Sequence, residues 1–235
     1  MKLHLLQLEN CPVLQQLRYE EALLRVDQRN WCLINQGSPP AIVMGISGQL
    51  EELIELAVWQ QKPVPVIRRF SGGGTVFVDE ETLFVTFIFN QQALPVHPYP
   101  ETIMRWTEAL YRPLFAPHPF ALLENDYVMG HLKFGGNAQS IIKQRWLHHS
   151  SFLWNYQPSN MNYLRLPLRR PHYRKSRPHT DFLCKLSDLY PCRKNLQQKL
   201  VNLLQQQYEI ERTTVQQLDA LLTQPHRQAT QLLMS

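Results

Sequence analysis

The hydrophobic and polar positions of the chain follow two spacings, which predict strands and helices in mixed order. Short apolar runs that are typical of strands cover residues 3–8, 31–35, 41–44, 64–67, 75–78 and 83–89. The last run, LFVTFIF, is apolar at nearly every position. A strand of this kind is expected to be covered on both of its faces.

Apolar residues three and four positions apart predict helices over residues 12–27, 47–60, 101–115, 193–208 and 216–222. Pro12 suits the first turn of the first helix, and Ser47 is a suitable N-cap for the second. Thr214 and Gln217 have the spacing of a capping box before the last helix. Strands and helices in this order predict an α/β (α+β) fold, with a central mixed β-sheet flanked by helices.

Length and composition are those of an ordinary globular protein. At 235 residues the chain suits one large domain, or one domain with a small appendage. The net charge of +5 is mild, and no basic block interleaved with aromatic residues indicates nucleic-acid binding. No apolar run approaches the roughly 20 residues that span a membrane. The first residues lack the apolar core of a signal peptide, so we expect a cytoplasmic protein.

The stretch RRFSGGG, residues 68–74, lies between two predicted strands and carries the most distinctive chemistry. Three consecutive glycines let the backbone adopt positive φ and let a ligand approach its N–H groups. Guanidinium groups beside such a loop bind carboxylate or phosphate oxygens well. The stretch predicts a pocket for a small anionic ligand. The alternative is a hairpin turn with two solvated arginines.

Two further segments accompany the glycine stretch. Residues 124–139 read ENDYVMGHLKFGGNAQ, with a lysine beside two glycines, and residues 147–153 read LHHSSFL. With RRFSGGGTVFVD at residues 68–79, they resemble lipoate–protein ligases, whose motifs are R-R-x-S-G-G-G-x-V-[FY]-H-D, N-D-[IL]-x-V, K-[IV]-x-G-x-A and H-H-G-[TS]-[LI]-L. They occur in the family's order, and the similarity covers roughly residues 10–190. Biotin–protein ligases and octanoyl transferases belong to the same superfamily.

The resemblance implies a fold, an activity and partners. The fold would be the class II synthetase-like catalytic domain of biotin and lipoate ligases. The activity would be ATP-dependent conversion of lipoate or octanoate to an acyl-adenylate, with Mg²⁺, and transfer to an acceptor lysine. The acceptors would be lipoyl domains of 2-oxoacid dehydrogenase E2 subunits and the glycine cleavage H protein. We expect a monomer, cytoplasmic or organellar if eukaryotic, which works alone or with an accessory chain.

The resemblance also assigns the residues of the site. Lys133 takes the position of the family's central catalytic lysine. Asp126 is a candidate magnesium ligand through ATP. The remaining substrate and adenylate contacts would be Arg69, Ser71, Gly72, Gly73, Gly74, Val76, Asp79, Asn125, Asp126, Gly136, Ala138 and His149. An apolar tunnel for the alkyl chain would have walls from residues 85–89 and the strand near Phe152.

A lysine at this position suits acyl adenylation physically. A carboxylate must attack the α-phosphate of ATP, which brings two anionic groups together. An ammonium between them neutralises charge that builds up in the transition state. The same group then polarises the mixed anhydride when the acceptor amine attacks. The alternative for Lys133 is an exposed lysine on a loop.

Several positions leave alternatives open. Val78 replaces the family's histidine, and Ser150 replaces a glycine. Adjacent side chains on a strand point to opposite faces, so only one of His148 and His149 can face the pocket. His149 is favoured by family position, with a packed, hydrogen-bonded histidine as the alternative. Glu20 and Glu21 resemble the acidic pair that the family places on its first helix, and the favoured alternative is a solvated helix face.

The alternative reaction is ATP-independent lipoyl or octanoyl transfer through a cysteine thiolate. Cys184 is the last residue of a basic, proline-broken stretch at residues 166–184, where the preceding cations would favour a thiolate. This stretch would cover the adenylate, or would be a solvated loop, and Cys184 reads equally well as packed inside a strand. A third possibility is a degenerate relative that binds lipoyl domains without chemistry.

The domain organisation follows from the extent of these motifs. Residues 1–190 are predicted to form the ligase-like catalytic domain. Residues 191–235 are predicted to form a helical extension packed on it, too short for a full accessory domain.

Overall fold

A computed structural model describes residues 1–95, 97–166 and 171–235. The strands are β1 (Lys2–Glu9), β2 (Trp31–Gln36), β3 (Ala41–Met44), β4 (Val66–Arg68), β5 (Val76–Val78), β6 (Thr82–Asn90), β7 (Phe120–Leu123), β8 (Asp126–Met129), β9 (Leu132–Ile141), β10 (Arg145–Leu153), β11 (Glu209–Thr213) and β12 (Gln231–Met234). The helices are α1 (Val13–Val26), α2 (Leu50–Leu53), α3 (Leu56–Gln61), α4 (Pro100–Phe115), α5 (His179–Phe182), α6 (Arg193–Gln207) and α7 (Gln216–Leu222). Among the described residues, no helix is both long enough and apolar enough to cross a bilayer.

The strands form two mixed sheets. The large sheet has the order β11-β1-β2-β6-β10-β9-β8-β7, with β1 parallel to both of its neighbours and the other pairs antiparallel. The small sheet has the order β12-β4-β3-β5. Two mixed sheets flanked by helices confirm the predicted α/β class.

The core lies on both faces of the large sheet. On one face Phe87, Phe89 and Trp146 pack against α4 and α6. On the other face Ile88 and Leu147 pack against α1. The strand β6 is therefore buried on both sides, as its uninterrupted apolar sequence predicts. We call the face that carries α1 and the small sheet the α1 face.

The helix predicted over residues 47–60 is wrong in its extent. It is divided into α2 and α3, because Ile54 forms a β-bridge with Leu164 and the amide of Glu55 donates to the carbonyl of Tyr163. Ser47 is not the N-cap, since α2 begins after Gln49, which makes no side-chain capping bond.

The segment after residue 190 is more than a helical extension. The strand β11 adds to the edge of the large sheet beside β1, and β12 pairs with β4 so that Gln231 lies opposite Arg68. The predicted helices in this segment are present as α6 and α7. Half of the predicted capping box forms, with the amide of Thr214 donating to the side chain of Gln217.

Candidate active site

A β-bulge brings the residues of the second motif to one face of the large sheet. The register between β8 and β9 pairs Val128 with Lys133 but Tyr127 with Gly135, so β9 carries one extra residue, Phe134. Without this extra residue, positions 133 and 136 would point to opposite faces. With it, Lys133 lies beside Gly136, where an added Cβ would be 3.7 Å from the Lys133 Nζ.

Lys133 is held by a short chain of polar side chains. Its Nζ lies 2.7 Å from Asp126 Oδ1, and its side chain is 23% exposed. The hydroxyl of Tyr173 donates to Asp126 Oδ2 at 2.8 Å. Burial and the Asp126 carboxylate raise the pKa of Tyr173, so the phenol stays protonated and donates. The lysine predicted to be catalytic is therefore an oriented group, not a freely moving surface lysine.

The contacts of the Asp126 carboxylate are relevant to the predicted magnesium site. Both carboxylate oxygens are engaged by Lys133 and Tyr173. Within the described ranges, no cluster of three histidine, cysteine or carboxylate side chains could hold a metal ion. Magnesium usually keeps several waters and binds one or two carboxylates together with substrate phosphates, so Asp126 as a magnesium ligand through ATP stays a prediction.

The glycine loop, residues 71–74, packs on the strand that carries Lys133. The amide of Gly72 donates to the carbonyl of Gln139 at 3.3 Å. Gly73 has a φ of 112°, and a Cβ there would lie 3.0 Å from the carbonyl oxygen of Asn137. At Gly72 and Gly74 an added Cβ would meet nothing within 4 Å. The loop thus presents open backbone beside Asn137, the residue that follows Gly136.

Arg69 holds the conformation of this loop through hydrogen bonds to its carbonyl groups. Its guanidinium donates to the carbonyls of Gly72 and Gly74, at 2.9 and 2.8 Å, and more weakly to that of Val43 at 3.4 Å. The residue is 4% exposed, and burial lowers its pKa to about 10, which leaves it charged at neutral pH. Nε and Nη2 of Arg69 are used on carbonyls of the loop, and its direct contact with a carboxylate or phosphate stays a prediction.

A buried polar cluster lies on the α1 face around His149. Its Nδ1 is 2.9 Å from Glu20 Oε1, which also accepts from the hydroxyl of Thr86 at 2.7 Å and from Gln16 at 2.8 Å. Glu20 is fully buried, so its predicted placement on a solvated helix face is wrong. Thr86 is the one polar residue of the run at 83–89, and this interruption was the signal that sequence reasoning missed.

Glu21 is buried as well and holds the end of the chain. Its two carboxylate oxygens accept from the amides of Ala229 and Thr230, at 2.9 and 3.0 Å. Arg25 pairs with the same carboxylate at 3.0 Å. Glu20 and Glu21 of α1 are thus buried and bind segments that are distant in sequence.

His148 points to the opposite face of the sheet, as alternation on a strand requires. It lies among Thr107, Tyr127 and Gln139, and burial lowers its pKa to about 3, so the ring is neutral. Ser150, the replacement for the family's glycine, donates to Asn137 Oδ1 at 2.8 Å. This replacement is accommodated by a hydrogen bond on the core face.

Other predicted contact residues have structural partners. Asp79 accepts from the amide of Glu81 at 3.0 Å and from Asn160 at 3.2 Å, so its carboxylate braces the turn between β5 and β6. Burial raises the pKa of Asp79. The remaining positions differ in burial. Ser71, Ala138 and Val78 are buried, Val76 is half-buried and Asn125 is exposed.

Four residues of the predicted tunnel walls are part of the solid core, while Thr86 and Ile88 of the same range lie on the α1 face. Val85, Phe87, Phe89 and Phe152 are all at most 1% exposed and pack in one cluster with α4. Phe152 stacks on Phe134 with ring centroids 5.7 Å apart. These side chains therefore face away from His149 and the glycine loop, which lie on the α1 face.

The basic stretch of residues 166–184 reaches the site, although residues 167–170 lie outside the described residues. Arg174 and Arg177 lie over the ring of Phe182, at 4.5 and 5.3 Å. Burial, Arg174 and Lys133 together lower the pKa of His179 to about 4. No sequence signal links Tyr173 or His179 to Lys133, because the contacts join segments about 40 residues apart.

Cys184 is a neighbour of Lys133 through the backbone. Its amide donates to the carbonyl of Lys133 at 2.9 Å, and its Sγ lies 3.5 Å from the carbonyl oxygen of Leu132. Burial raises the pKa of the thiol to about 11. The structure thus favours the packed, protonated thiol over the thiolate that a transferase would need.

The chain is similar to lipoate–protein ligases. Residues 12–208 match the sequence model of the lipoyl protein ligase A/B catalytic domain, and the chain belongs to this family. It is 27% identical over 190 residues to inactive lipoate–protein ligase 2 of Plasmodium falciparum, covering 66% of this chain and 49% of that protein. It is 27% identical over 138 residues to lipoate–protein ligase LplJ of Bacillus subtilis, covering 58% and 40%. The chain thus spans about half the length, or less, of these curated relatives.

Solved structures share the fold. A bi-partite lipoate protein ligase from Thermoplasma acidophilum, described with its E2 lipoyl domain, superposes with a TM-score of 0.77 at 18% identity. The match covers 94% of this chain and 91% of that one. A lipoate–protein ligase A bound with ATP gives a TM-score of 0.76 at 18% identity, covering 94% and 93%. At this identity the likeness establishes the fold alone.

Proposed function

We propose that this protein is a lipoate–protein ligase, which activates lipoate or octanoate with ATP and joins it to a lysine of a lipoyl acceptor domain. The single observation that carries the proposal is Lys133, oriented by Asp126 beside Gly136 and next to the open glycine loop. The ATP-bound ligase and the ligase described with its E2 lipoyl domain, both of the same fold, support ATP and a lipoyl domain as ligands.

In the first half-reaction the acyl carboxylate attacks the α-phosphate of ATP, and pyrophosphate leaves. The ammonium of Lys133 neutralises charge on the two groups as they meet. The amides of Gly73 and Gly74 donate to phosphate oxygens, because the backbone there is free of side chains. Asp126 keeps the ammonium in position, and most of the rate comes from such positioning.

In the second half-reaction the acceptor amine attacks the carbonyl carbon of the acyl-adenylate. The bond between that carbon and the phosphate oxygen breaks, AMP leaves, and the amine gives up a proton as the amide forms. Lys133 polarises the mixed anhydride in this step.

The ATP dependence of acceptor labelling tests this proposal. The protein is incubated with lipoate, ATP, Mg²⁺ and an E2 lipoyl domain, while pyrophosphate release and the intact mass of the acceptor are followed. We expect pyrophosphate release that requires lipoate, and an acceptor mass increase that requires ATP. Labelling without ATP from an acyl-carrying donor would replace the ligase with the transferase. Acceptor binding without turnover would leave a binding protein, as the inactive relative suggests.

Replacing the cysteine separates the two reactions. We expect Cys184→Ala to keep ligase activity within about threefold, because the thiol is protonated and its amide contact to Lys133 is retained. With a pKa of about 11, roughly 0.1% of the thiol is ionised at pH 8, against about a quarter for an ordinary cysteine. Alkylation of Cys184 by iodoacetamide, followed by peptide mass spectrometry, should therefore be slow at pH 8 and rise steeply up to pH 11. Fast alkylation at pH 8, with loss of activity in Cys184→Ala, would contradict this assignment.

The hydrogen bond from Tyr173 to Asp126 gives a second, milder prediction. Tyr173→Phe removes the donor but keeps the ring contact with Phe182, whose centroid is 5.3 Å away. We expect the kcat of lipoate-dependent pyrophosphate release to fall about 5- to 30-fold, as a lost charge-assisted hydrogen bond implies, with little change in the KM for lipoate.

The matched control is Tyr163→Phe. It removes a hydroxyl bond of 2.7 Å to the Lys62 carbonyl in the small-sheet region, so it should lower stability without lowering kcat. Equal losses of kcat in both variants would show that Tyr173 acts only through folding.

A further inference from the structure

A second concave surface lies on the α1 face, away from Lys133. It is a groove with a volume of about 550 Å³ between the end of α1, the turn from β9 to β10, and residues 225–227. Its lining residues are Leu24, Arg25, Val26, Gln28, Ile142, Lys143, Gln144, Arg145, Pro225, His226 and Arg227. We call it the basic groove.

The charged residues that line the basic groove all carry positive charge. Arg25, Lys143, Arg145 and Arg227 contribute cations, and none of the described residues that line it carries a carboxylate. Glu21 lies behind Arg25 and neutralises part of its charge. Lys143 and Arg227 are exposed at the rim. A concave surface of this kind concentrates positive potential and attracts anionic groups.

Arg145 forms a fixed cation in the wall of the groove. Its guanidinium donates to Asn90 Oδ1 at 2.6 Å and to the carbonyl of Arg29 at 2.7 Å, and the residue is 1% exposed. Within the described part of the chain its Nε has no hydrogen-bond partner. Burial lowers its pKa to about 10, so it remains charged at neutral pH. The groove is thus built around an immobilised positive charge.

The groove lies on the same face as the active site, at the other end of β9 from Lys133. Gly136, which lies beside the Nζ of Lys133, is six residues before Ile142 at the rim, a separation of about 20 Å along the strand. Ile142 also packs in the cluster that contains Phe70, the residue just before the loop. A protein domain of about 100 residues has a radius of gyration of about 13 Å. Such a domain is wide enough to deliver its lysine to Lys133 and to contact the groove at the same time.

We propose that the basic groove docks an acidic surface of the lipoyl acceptor domain, and this inference rests on the proposed ligase function. Its cations come from three separate segments, with α1, the β9–β10 turn and the residues after α7 each contributing. Two of them, Lys143 and Arg227, stand at the exposed rim, where a flat acidic surface reaches them. A small anion bound inside the groove would not need these rim charges.

Charge reversal tests the docking. In Lys143→Glu combined with Arg227→Glu, we expect the KM for an E2 lipoyl domain to rise at least about tenfold at an ionic strength of about 0.05 M, and much less at about 0.5 M, because salt screens exposed charges. Lipoate-dependent pyrophosphate release without acceptor should stay within about twofold of the wild type, since neither residue belongs to the adenylation site. The matched control is Lys199→Glu on α6, on the opposite face of the sheet, which should leave the KM unchanged.

A measurement of acceptor binding tests the docking separately from the ligase reaction. Calorimetric titration of the lipoyl domain into wild type and double variant should show an affinity loss of similar size even if no turnover occurs. An unchanged acceptor KM and affinity, or an equal change in Lys199→Glu, would overturn the docking. Two further outcomes would overturn it. In the first, the groove binds a small anion: pyrophosphate binds the wild type but not the double variant, and acceptor affinity is the same in both. In the second, the groove is a contact between copies of the chain: the double variant changes only self-association in sedimentation. If pyrophosphate release is absent but acceptor binding still depends on these charges, the ligase reaction is refuted and the docking is not.

Discussion

Lys133→Ala should reduce lipoate-dependent pyrophosphate release and acceptor labelling by at least about a hundredfold, the scale on which one preoriented charge-stabilising group acts. The reason is the position of the ammonium, 2.7 Å from Asp126 and beside Gly136, where it can face both reacting anions. The expected signature is a loss in kcat for both half-reactions. The measurements are pyrophosphate release with ATP and lipoate, and single-turnover transfer from acyl-adenylate prepared chemically.

This variant needs a control because it also leaves Asp126, a 6% exposed carboxylate, without its cation. That loss alone should lower the free energy of unfolding by about 1–3 kcal/mol. Lys133→Ala combined with Asp126→Asn removes the unpaired charge, so stability should recover while activity stays lost. Lys185→Ala, next to Cys184, should keep near-normal activity. Activity that returned with stability in the double variant would mean that Lys133 is structural.

The sequence predicts most of the secondary structure because many elements have strong local signals. The run at 83–89 specifies β6 through its unbroken hydrophobicity, and α1 begins at Val13, just after Pro12. The helix predicted at 101–115 is α4, Pro100–Phe115. In each case the periodicity of the segment and the burial it receives point to the same conformation.

Predictions failed where distant partners decide the local structure. The helix predicted over residues 47–60 is interrupted because Ile54 pairs with Leu164, which is far away in sequence. The strand β12 exists because β4 offers it an edge, and Glu21 fixes the preceding residues. Such pairing leaves no periodic signal in the segment itself.

The candidate site shows the same division. Lys133 and the glycine loop were named from sequence, but their shared face depends on the bulge at Phe134. The paired glycines at 135 and 136 were a possible sign of that bulge, since glycine inside a strand often marks one. Glu20 was expected in solvent because carboxylates rarely lie inside. Its partners Thr86 and His149 belong to strands that the helix meets only in the folded protein.

A single methyl group added to the glycine loop should reduce activity as severely as the loss of Lys133. Gly73→Ala should lower the free energy of unfolding by about 2–4 kcal/mol and abolish most pyrophosphate release, because φ at this position is 112°. The added Cβ would also lie 2.6 Å from Arg69 Nη2 and 3.0 Å from the Asn137 carbonyl oxygen. Arg69 would have to leave the carbonyls that it holds, and the loop would lift from β9. Chemical denaturation and pyrophosphate release measure the two losses.

Gly74→Ala is the matched control, since it adds the same methyl group one residue later, where no atom lies within 4 Å. Its free energy of unfolding should stay within about 0.5 kcal/mol of the wild type, because a compatible backbone tolerates the exchange. The contrast isolates the shape of the loop from the number of its glycines. If Gly73→Ala were as stable and as active as Gly74→Ala, the close packing of the loop on β9 would not determine the site. The anion-binding role of the loop would then have to rest on side chains, and Arg69 would have to turn toward the ligand.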